Sequence, residues 1–181
     1  MLPDEAKAAV SICKFPPPKP DSKKLVAGVR SLTAGLPHFG YRATSPSEIM
    51  TQLDASGSTV FLMVETAAAV ANIDAIAAVP GVDVLLIGAN DLSLELGVQG
   101  EWDSYIFRDA LENVADACKK SGKILGVAGL YNRPDICQDM IKRLGARYVL
   151  GNLDIGLIAQ AAKANVANLK VLEEEALISV A

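Results

Sequence analysis

Three observations predict an α/β fold of about four parallel strands with flanking helices. From Thr59 onward, apolar runs of strand length (TVFLMVE, VDVLLIG, KILGVAGL and RYVLGN) alternate with stretches of helix length. The runs are continuously apolar rather than alternating, which is the pattern of parallel strands covered on both faces. Glycines stand between helix end and strand start in Val79-Pro80-Gly81-Val82-Asp83 and in Leu144-Gly145-Ala146-Arg147, where a left-handed residue is wanted. Repeats of this kind are right-handed βαβ units. A full (β/α)₈ barrel takes about 250 residues. A chain of 181 residues therefore predicts either an open α/β sheet or half of a barrel, as one domain over 1–181 with an irregular loop region at 14–46.

Each element has a local reason. Pro3 to Cys13 reads as a helix with Asp4 and Glu5 in its first turn, where acids complement the helix dipole. The prolines of KFPPPKPDSKK end it, because proline donates no backbone hydrogen bond and fixes φ. Gly28 to Pro46 has no sustained period and reads as loop. A helix follows from Pro46 to about Ala55, with Ser45 as cap and Glu48 completing a capping box. The expected order is then strand TVFLMVE, helix Thr66 to Ala78, strand VDVLLIG, helix Ser104 to Ser121 and strand KILGVAGL. Helix Pro134 to Leu144, strand RYVLGN and a last helix from about Asp154 complete it.

Composition narrows the function classes. A net charge of −4, with scattered lysines and arginines, argues against nucleic acid as partner. A hydrophobic fraction of 51% fits a globular core. Three cysteines without CxxC spacing and a single histidine cannot build a Cys/His metal site, and they read as reduced thiols inside a cell. The N-terminal MLPDEAKAAV is not a signal peptide and no run reaches membrane-span length, so a cytoplasmic protein with no membrane partner is expected.

Glu65 and Asp91 each end an apolar strand run, about one βα unit apart. In parallel α/β folds functional groups gather at the carboxyl ends of strands. A carboxylate there must be hydrated, paired or metal-bound, since burying it alone costs several kcal/mol. Two converging acids with no neighbouring base suit an oxygen-seeking divalent cation. The alternative is that Glu65 caps the next helix and Asp91 anchors the Asn90-Asp91-Leu92-Ser93 turn.

Beyond these patterns, VET at Val64 to Thr66 and AAAVANIDAIAAVPGVDVLLIGANDLSLELG through Gly97 resemble the HpcH/HpaI aldolase family, class II pyruvate aldolases of the phosphoenolpyruvate/pyruvate superfamily. The family pattern is close to I-E-T, G-V-D, I-G-P-x-D-L-S and L-G. SGK at Ser121 to Lys123, LGARYVLGNLDIGLIAQAAKA, and DEAKAAVSICKFPP with GVR extend the resemblance over nearly the whole chain. It implies a TIM-type barrel, here a C-terminal half, with Glu65 and Asp91 as ligands of Mg²⁺, Mn²⁺ or Co²⁺. The backbone amides of Asn90 and Asp91 would face the pyruvyl carboxylate of a small 2-oxo acid substrate. The implied reaction is reversible aldol cleavage of a 4-hydroxy-2-oxo acid to pyruvate, or a relative, and an aldehyde. The implied assembly is a homo-oligomer, with the last helix covering a neighbouring subunit.

The chain departs from that pattern in several places. The family's acid/base histidine and substrate arginine belong to the half with no counterpart here. His38 lies in an unrelated loop, and Arg30 matches the later G-x-R motif as a loop anchor or ion pair. Met63 stands where family members often have glutamine, and Lys19 to Val26 reads as an insertion. Gly129 to Asn132 and Gly151 to Asp154 read as plain βα turns, and Trp102 and Tyr105 as core or interface. Without the acid/base group, rate should fall by about 10²–10⁴. Two expectations follow: a lyase impaired by truncation, or a catalytically inactive remnant acting as a binding or assembly module.

Overall fold

A computed structural model describes residues 1–16, 28–33 and 35–178. The insertion expected at Lys19 to Val26 lies outside them. Met1–Val149 form one compact unit and Leu150–Ala181 a second.

In the first unit, helix α1 (Pro3–Cys13) begins where the Leu2 amide donates to the Glu5 carboxylate at 2.6 Å. It ends on Lys14, which is almost buried and whose Nζ donates to the carbonyl and hydroxyl of Ser58 at 2.7 and 2.9 Å. The Arg30 guanidinium lies over the Phe15 ring at 4.8 Å, which makes it a loop anchor. Pro37–Phe39 form one 3₁₀ turn that carries the exposed His38. Helix α2 (Pro46–Gln52) is capped by the Ser45 hydroxyl, which accepts from the Glu48 amide at 3.3 Å, and runs into a wide turn over Leu53–Gly57. Phe15, Phe39, Ile49 and Leu53 form a small core of their own.

The βα repeat follows. Strand β1 (Phe61–Val64) is followed by α3 (Ala67–Ala71) and α4 (Ile73–Ala77), and β2 (Val84–Gly88) by α5 (Ala89–Glu95) and α6 (Tyr105–Ser121). Strand β3 (Ile124–Ala128), α7 (Pro134–Lys142) and β4 (Tyr148–Val149) complete the unit. The single helix expected over Thr66 to Ala78 is broken at Asn72, whose side chain donates to the Ala68 carbonyl at 2.8 Å. Asparagine competes with the helix for backbone partners in this way. The segment expected as a turn after β2 is a short helix, α5. Gly81 and Gly145 have φ of 91° and 79°, the left-handed geometry expected of them.

All pairings are parallel and the strand order is β1-β2-β3-β4. A doubly wound sheet reverses its order at a switch point. This one does not, so the half barrel, rather than the open sheet, is the architecture. Leu62, Val64, Leu85, Ile87, Leu125 and Val127 share a core with Phe107, Leu111, Ile136 and Met140 from the helices. Each fully buried side chain of this size stabilises by about 1.5–3 kcal/mol.

The other face of the sheet is concave. In a flat sheet β1 and β4 would be about 14 Å apart, yet the rings of Phe61 and Tyr148 meet edge to face at 5.0 Å between centroids. Gly126 makes room for this: a Cβ there would come within 3.0 Å of Leu86 Cδ1 and 3.3 Å of Tyr148 Cδ1.

In the second unit, α8 (Asp154–Ile178) starts where Asn152 Oδ1 accepts from the Leu153 amide at 2.8 Å. Among the described residues no helix is long and apolar enough to cross a membrane.

Candidate active site

The site is built at the carboxyl ends of β1 and β2. Val64 pairs with Ile87, so Glu65, the next residue, faces Gly88. Gly88 has no side chain, and Glu65 occupies the space: a Cβ on Gly88 would meet Glu65 Cγ and Oε1 at 2.7 Å. Gly88 is also the residue before α5, whose first turn carries Asn90 and Asp91. The sheet register therefore brings the Glu65 carboxylate to the start of the segment that holds Asp91.

Neither acid makes the capping or turn-anchoring hydrogen bond that its position allows. Thr66, not Glu65, caps α3, its hydroxyl accepting from the Ala69 amide at 3.1 Å. Ser93, not Asp91, fastens the following turn, since its buried hydroxyl donates to the Asn90 carbonyl at 2.9 Å and its carbonyl accepts from the Val98 amide at 2.9 Å. Among the described residues no hydrogen bond or ion pair engages the carboxylate of Glu65 or Asp91. Asp91 is exposed to water and Glu65 half-buried.

Asn90 points to the neighbouring strand end. Gly129, which follows β3 with φ 91°, leaves room for it: a Cβ there would come within 3.1 Å of Asn90 Nδ2. The amides of Asn90 and Asp91 lie in the first turn of α5, where helical geometry provides no intrahelical acceptor.

The donor set fits a hard divalent cation. Magnesium-like ions are held through one or two carboxylates with other positions left open, and the Gly88 cradle keeps one such carboxylate at the strand end. No group of three or more His, Cys, Asp or Glu side chains converges among the described residues, so a closed zinc site of nitrogen and sulfur ligands is not built here. Arg30 is stacked on Phe15, and His38 lies in the Pro37–Phe39 turn, beside the small Phe15–Phe39 core.

A feature that spacing did not reveal is an ion-pair chain beside the site. Asp103, in the loop before α6, accepts from Arg108 and Arg133, both at 2.9 Å. Arg133, at the end of the loop after β3, also holds Asp135 at 2.7 Å. Two successive βα loops are thereby tied together. Hydrogen bonds from Arg133, then Arg108, hold the Asp103 carboxyl below the usual carboxylate range. Arg133 lowers Asp135 to about 2. Trp102, in the same loop, packs on Phe107 at 5.3 Å, whereas Tyr105 is exposed. The link that joins the two loops, Asp103 to Arg133, spans 30 residues, so no sequence period shows it.

Residues 2–146 match the profile of the HpcH/HpaI aldolase/citrate lyase family. The chain is 43% identical over 158 residues to a 4-hydroxy-4-methyl-2-oxoglutarate aldolase of Chaetomium globosum, covering 87% of this chain and 55% of that protein. It is 30% identical over 171 residues to a 4-hydroxy-2-oxo-heptane-1,7-dioate aldolase of Salmonella paratyphi C, covering 93% of this chain and 59% of that protein. The chain thus spans a little over half the length of these curated relatives. Among solved structures, an HpcH/HpaI aldolase from Desulfitobacterium hafniense superposes with a TM-score of 0.75 at 22% identity, covering 93% of this chain and 60% of that one. A family protein from Burkholderia cenocepacia superposes with a TM-score of 0.72 at 24% identity, covering 93% and 62%. At these identities the superpositions speak for the fold, a TIM-type barrel matched over part of its length.

Proposed function

The chain belongs to the HpcH/HpaI aldolase/citrate lyase family, and from that premise we propose that it serves divalent-metal-dependent aldol cleavage of a 4-hydroxy-2-oxo acid. The observation that carries this reading is the Glu65 carboxylate seated over Gly88, free of any protein partner among the described residues, beside the turn that holds Asp91. Glu65 and Asp91 would hold the ion. When bound, Mg²⁺, Mn²⁺ or Co²⁺ supplies Lewis-acid stabilisation of the enolate that cleavage generates.

The chain's own residues then have distinct tasks. The first-turn amides of Asn90 and Asp91 orient the 2-oxo carboxylate, as donors without intrahelical acceptors. The Asn90 side chain, seated against Gly129, sets the position of that turn. The relatives at 43% and 42% identity are 4-hydroxy-4-methyl-2-oxoglutarate aldolases, which favours a branched dicarboxylic substrate of that kind. Breaking its C3–C4 bond gives pyruvate twice, so the expected carbonyl product is a second 2-oxo acid rather than an aldehyde. We further propose a cytoplasmic protein, as its free cysteines support, and a homo-oligomer, as the family resemblance implies.

A second reading rests on a specific feature: among the described residues, no histidine stands at the strand ends, because His38 is exposed in the Pro37–Phe39 turn. Acid/base help is worth about 10²–10⁴ in rate, so strand ends that offer no histidine among the described residues favour a catalytically inactive chain acting as a binding or assembly module. One assay separates the two. Folded protein incubated with Mn²⁺ and racemic 4-hydroxy-4-methyl-2-oxoglutarate should release pyruvate, and Glu65→Gln should abolish the release. No metal-dependent pyruvate above the Glu65→Gln background overturns the aldolase reading.

A further inference from the structure

At the end of the sheet opposite Glu65, a cavity of ≈ 280 Å³ opens between the last turns of α6 and α7 and the entries to β3 and β4. Lys119, Lys123, Lys142 and Arg143 line it, in a chain whose net charge is −4. Arg143 is held by two carboxylates, Asp139 at 2.9 Å and Glu112 at 2.7 Å, and Asp139 also pairs with Arg108 at 3.5 Å. The lysines are not held in this way. Lys123 Nζ donates to the uncharged Val82 carbonyl at 2.8 Å, and Lys119 and Lys142 pair with no carboxylate among the described residues. Cys118 and Leu125 also line the cavity, and burial pushes the Cys118 thiol up to about 11, so it is neutral at pH 7 and offsets none of this charge.

Basic residues in a last helical turn can simply complement the helix dipole. Here the magnitudes argue against that as the whole account. Each helix C-terminus carries about half a negative charge, so the two ends offset about one of three ammonium groups. Part of that negative charge is already engaged: the Cys118 carbonyl accepts from the Lys123 amide and the Met140 carbonyl from the Ala146 amide, both at 2.8 Å. The second carboxylate on Arg143 offsets about one more, so about one net positive charge remains on the residues that line this small cavity, an arrangement that an anion relieves.

The chemistry of the cations selects the anion. Arginine's planar fork matches a planar carboxylate, whereas lysine binds as a compact point charge, as in phosphate-binding loops. The one arginine here is occupied and the free cations are all lysines. We propose that this cavity is a binding site for a small phosphoryl anion with two or more negative charges, separate from the candidate active site. The proposal stands or falls independently of the aldolase reading, because it uses none of the residues assigned to that site.

The full chain should be titrated with inorganic pyrophosphate in metal-free buffer at about 0.15 M salt, where exposed charges are screened beyond about 8 Å. The expected result is one saturable site per chain, with shifts of the Gly122 and Gly145 amide resonances. Lys119→Gln/Lys142→Gln should bind about tenfold or more weakly, since charge-assisted contacts are the strong ones, while keeping the wild-type melting temperature. Both lysines are exposed and unbonded, so the variant folds. Glycerol 3-phosphate binding more tightly than inorganic phosphate would assign an organic ester as the occupant, and equal binding would assign the free ion. Unsaturable binding, undiminished binding by the double variant, or citrate binding as tightly as pyrophosphate would each overturn the proposal.

Discussion

The Glu65 side chain lies across the α-carbon of Gly88, the last residue of the neighbouring strand, so closely that a methyl group on Gly88 would come within 2.7 Å of Glu65 Cγ and Oε1. Gly88 has φ −88°, a backbone conformation open to any residue. The glycine is therefore required by the carboxylate above it and not by its own torsion.

Gly88→Ala is accordingly expected to expel Glu65 while leaving the β2 backbone in place. Overpacking of this kind costs about 1–3 kcal/mol, readable by urea denaturation. In the same variant, Mn²⁺ affinity measured by electron paramagnetic resonance should fall about tenfold or more, since one of the two proposed carboxylate ligands is displaced. Unchanged Mn²⁺ affinity would mean that Glu65 is not a ligand.

The Asp103–Arg133–Asp135 chain should give stability an acid dependence. Both carboxyls are held below their unfolded value, Asp135 at about 2. A depressed carboxyl stabilises the folded state above the unfolded pKa of about 3.9, and that contribution is lost as pH falls toward the folded value. Melting temperature should therefore drop between about pH 4 and pH 2, and Arg133→Gln should flatten the slope. An identical slope in the variant would show that other groups set it.

Phe107 is fully buried and holds the Trp102 ring at 5.3 Å. Phe107→Ala should cost about 3–5 kcal/mol. Because Trp102 is the only tryptophan, its emission should shift to the red as the loop before α6 loosens. Calorimetry and fluorescence on the same sample check both effects together.

Thiol labelling offers a probe of opening. Cys118 is buried and burial pushes its pKa up to about 11. The thiolate is the reactive form, so Cys118 should resist a disulfide reagent at pH 7 until the core unfolds. Mass spectrometry of the labelled peptides would identify it, and fast labelling of Cys118 in native buffer would contradict the packing.

Much of this was legible in the sequence. Continuous apolar runs exposed all four strands, because a strand covered on both faces tolerates few polar residues. Ser45 could be placed as a cap because the first turn of a helix needs an acceptor, and the glycines before β2 and β4 because a left-handed residue is wanted there; the caps at Thr66 and Ser104 appear only in the structure. The break at Asn72 was hidden because it depends on one side chain competing for the Ala68 carbonyl. Helix α5 was read as a turn because its seven residues are too short to display a period. At the site, the positions of Glu65 and Asp91 at strand ends were visible, but the role of Gly88 appears only once the register sets it opposite Glu65. The Asp103–Arg133 link could not be read at all, since its partners are 30 residues apart in two loops.

The meeting of Phe61 and Tyr148 means that the bend of the sheet is written into these four strands and does not wait for a ring to be completed. A preformed arc imposes its radius on whatever joins it. Any set of strands grafted beside this one, by recombination or by protein engineering, would have to share that curvature. Swaps between unrelated barrels should therefore succeed when arcs match in radius, whatever chemistry their loops perform.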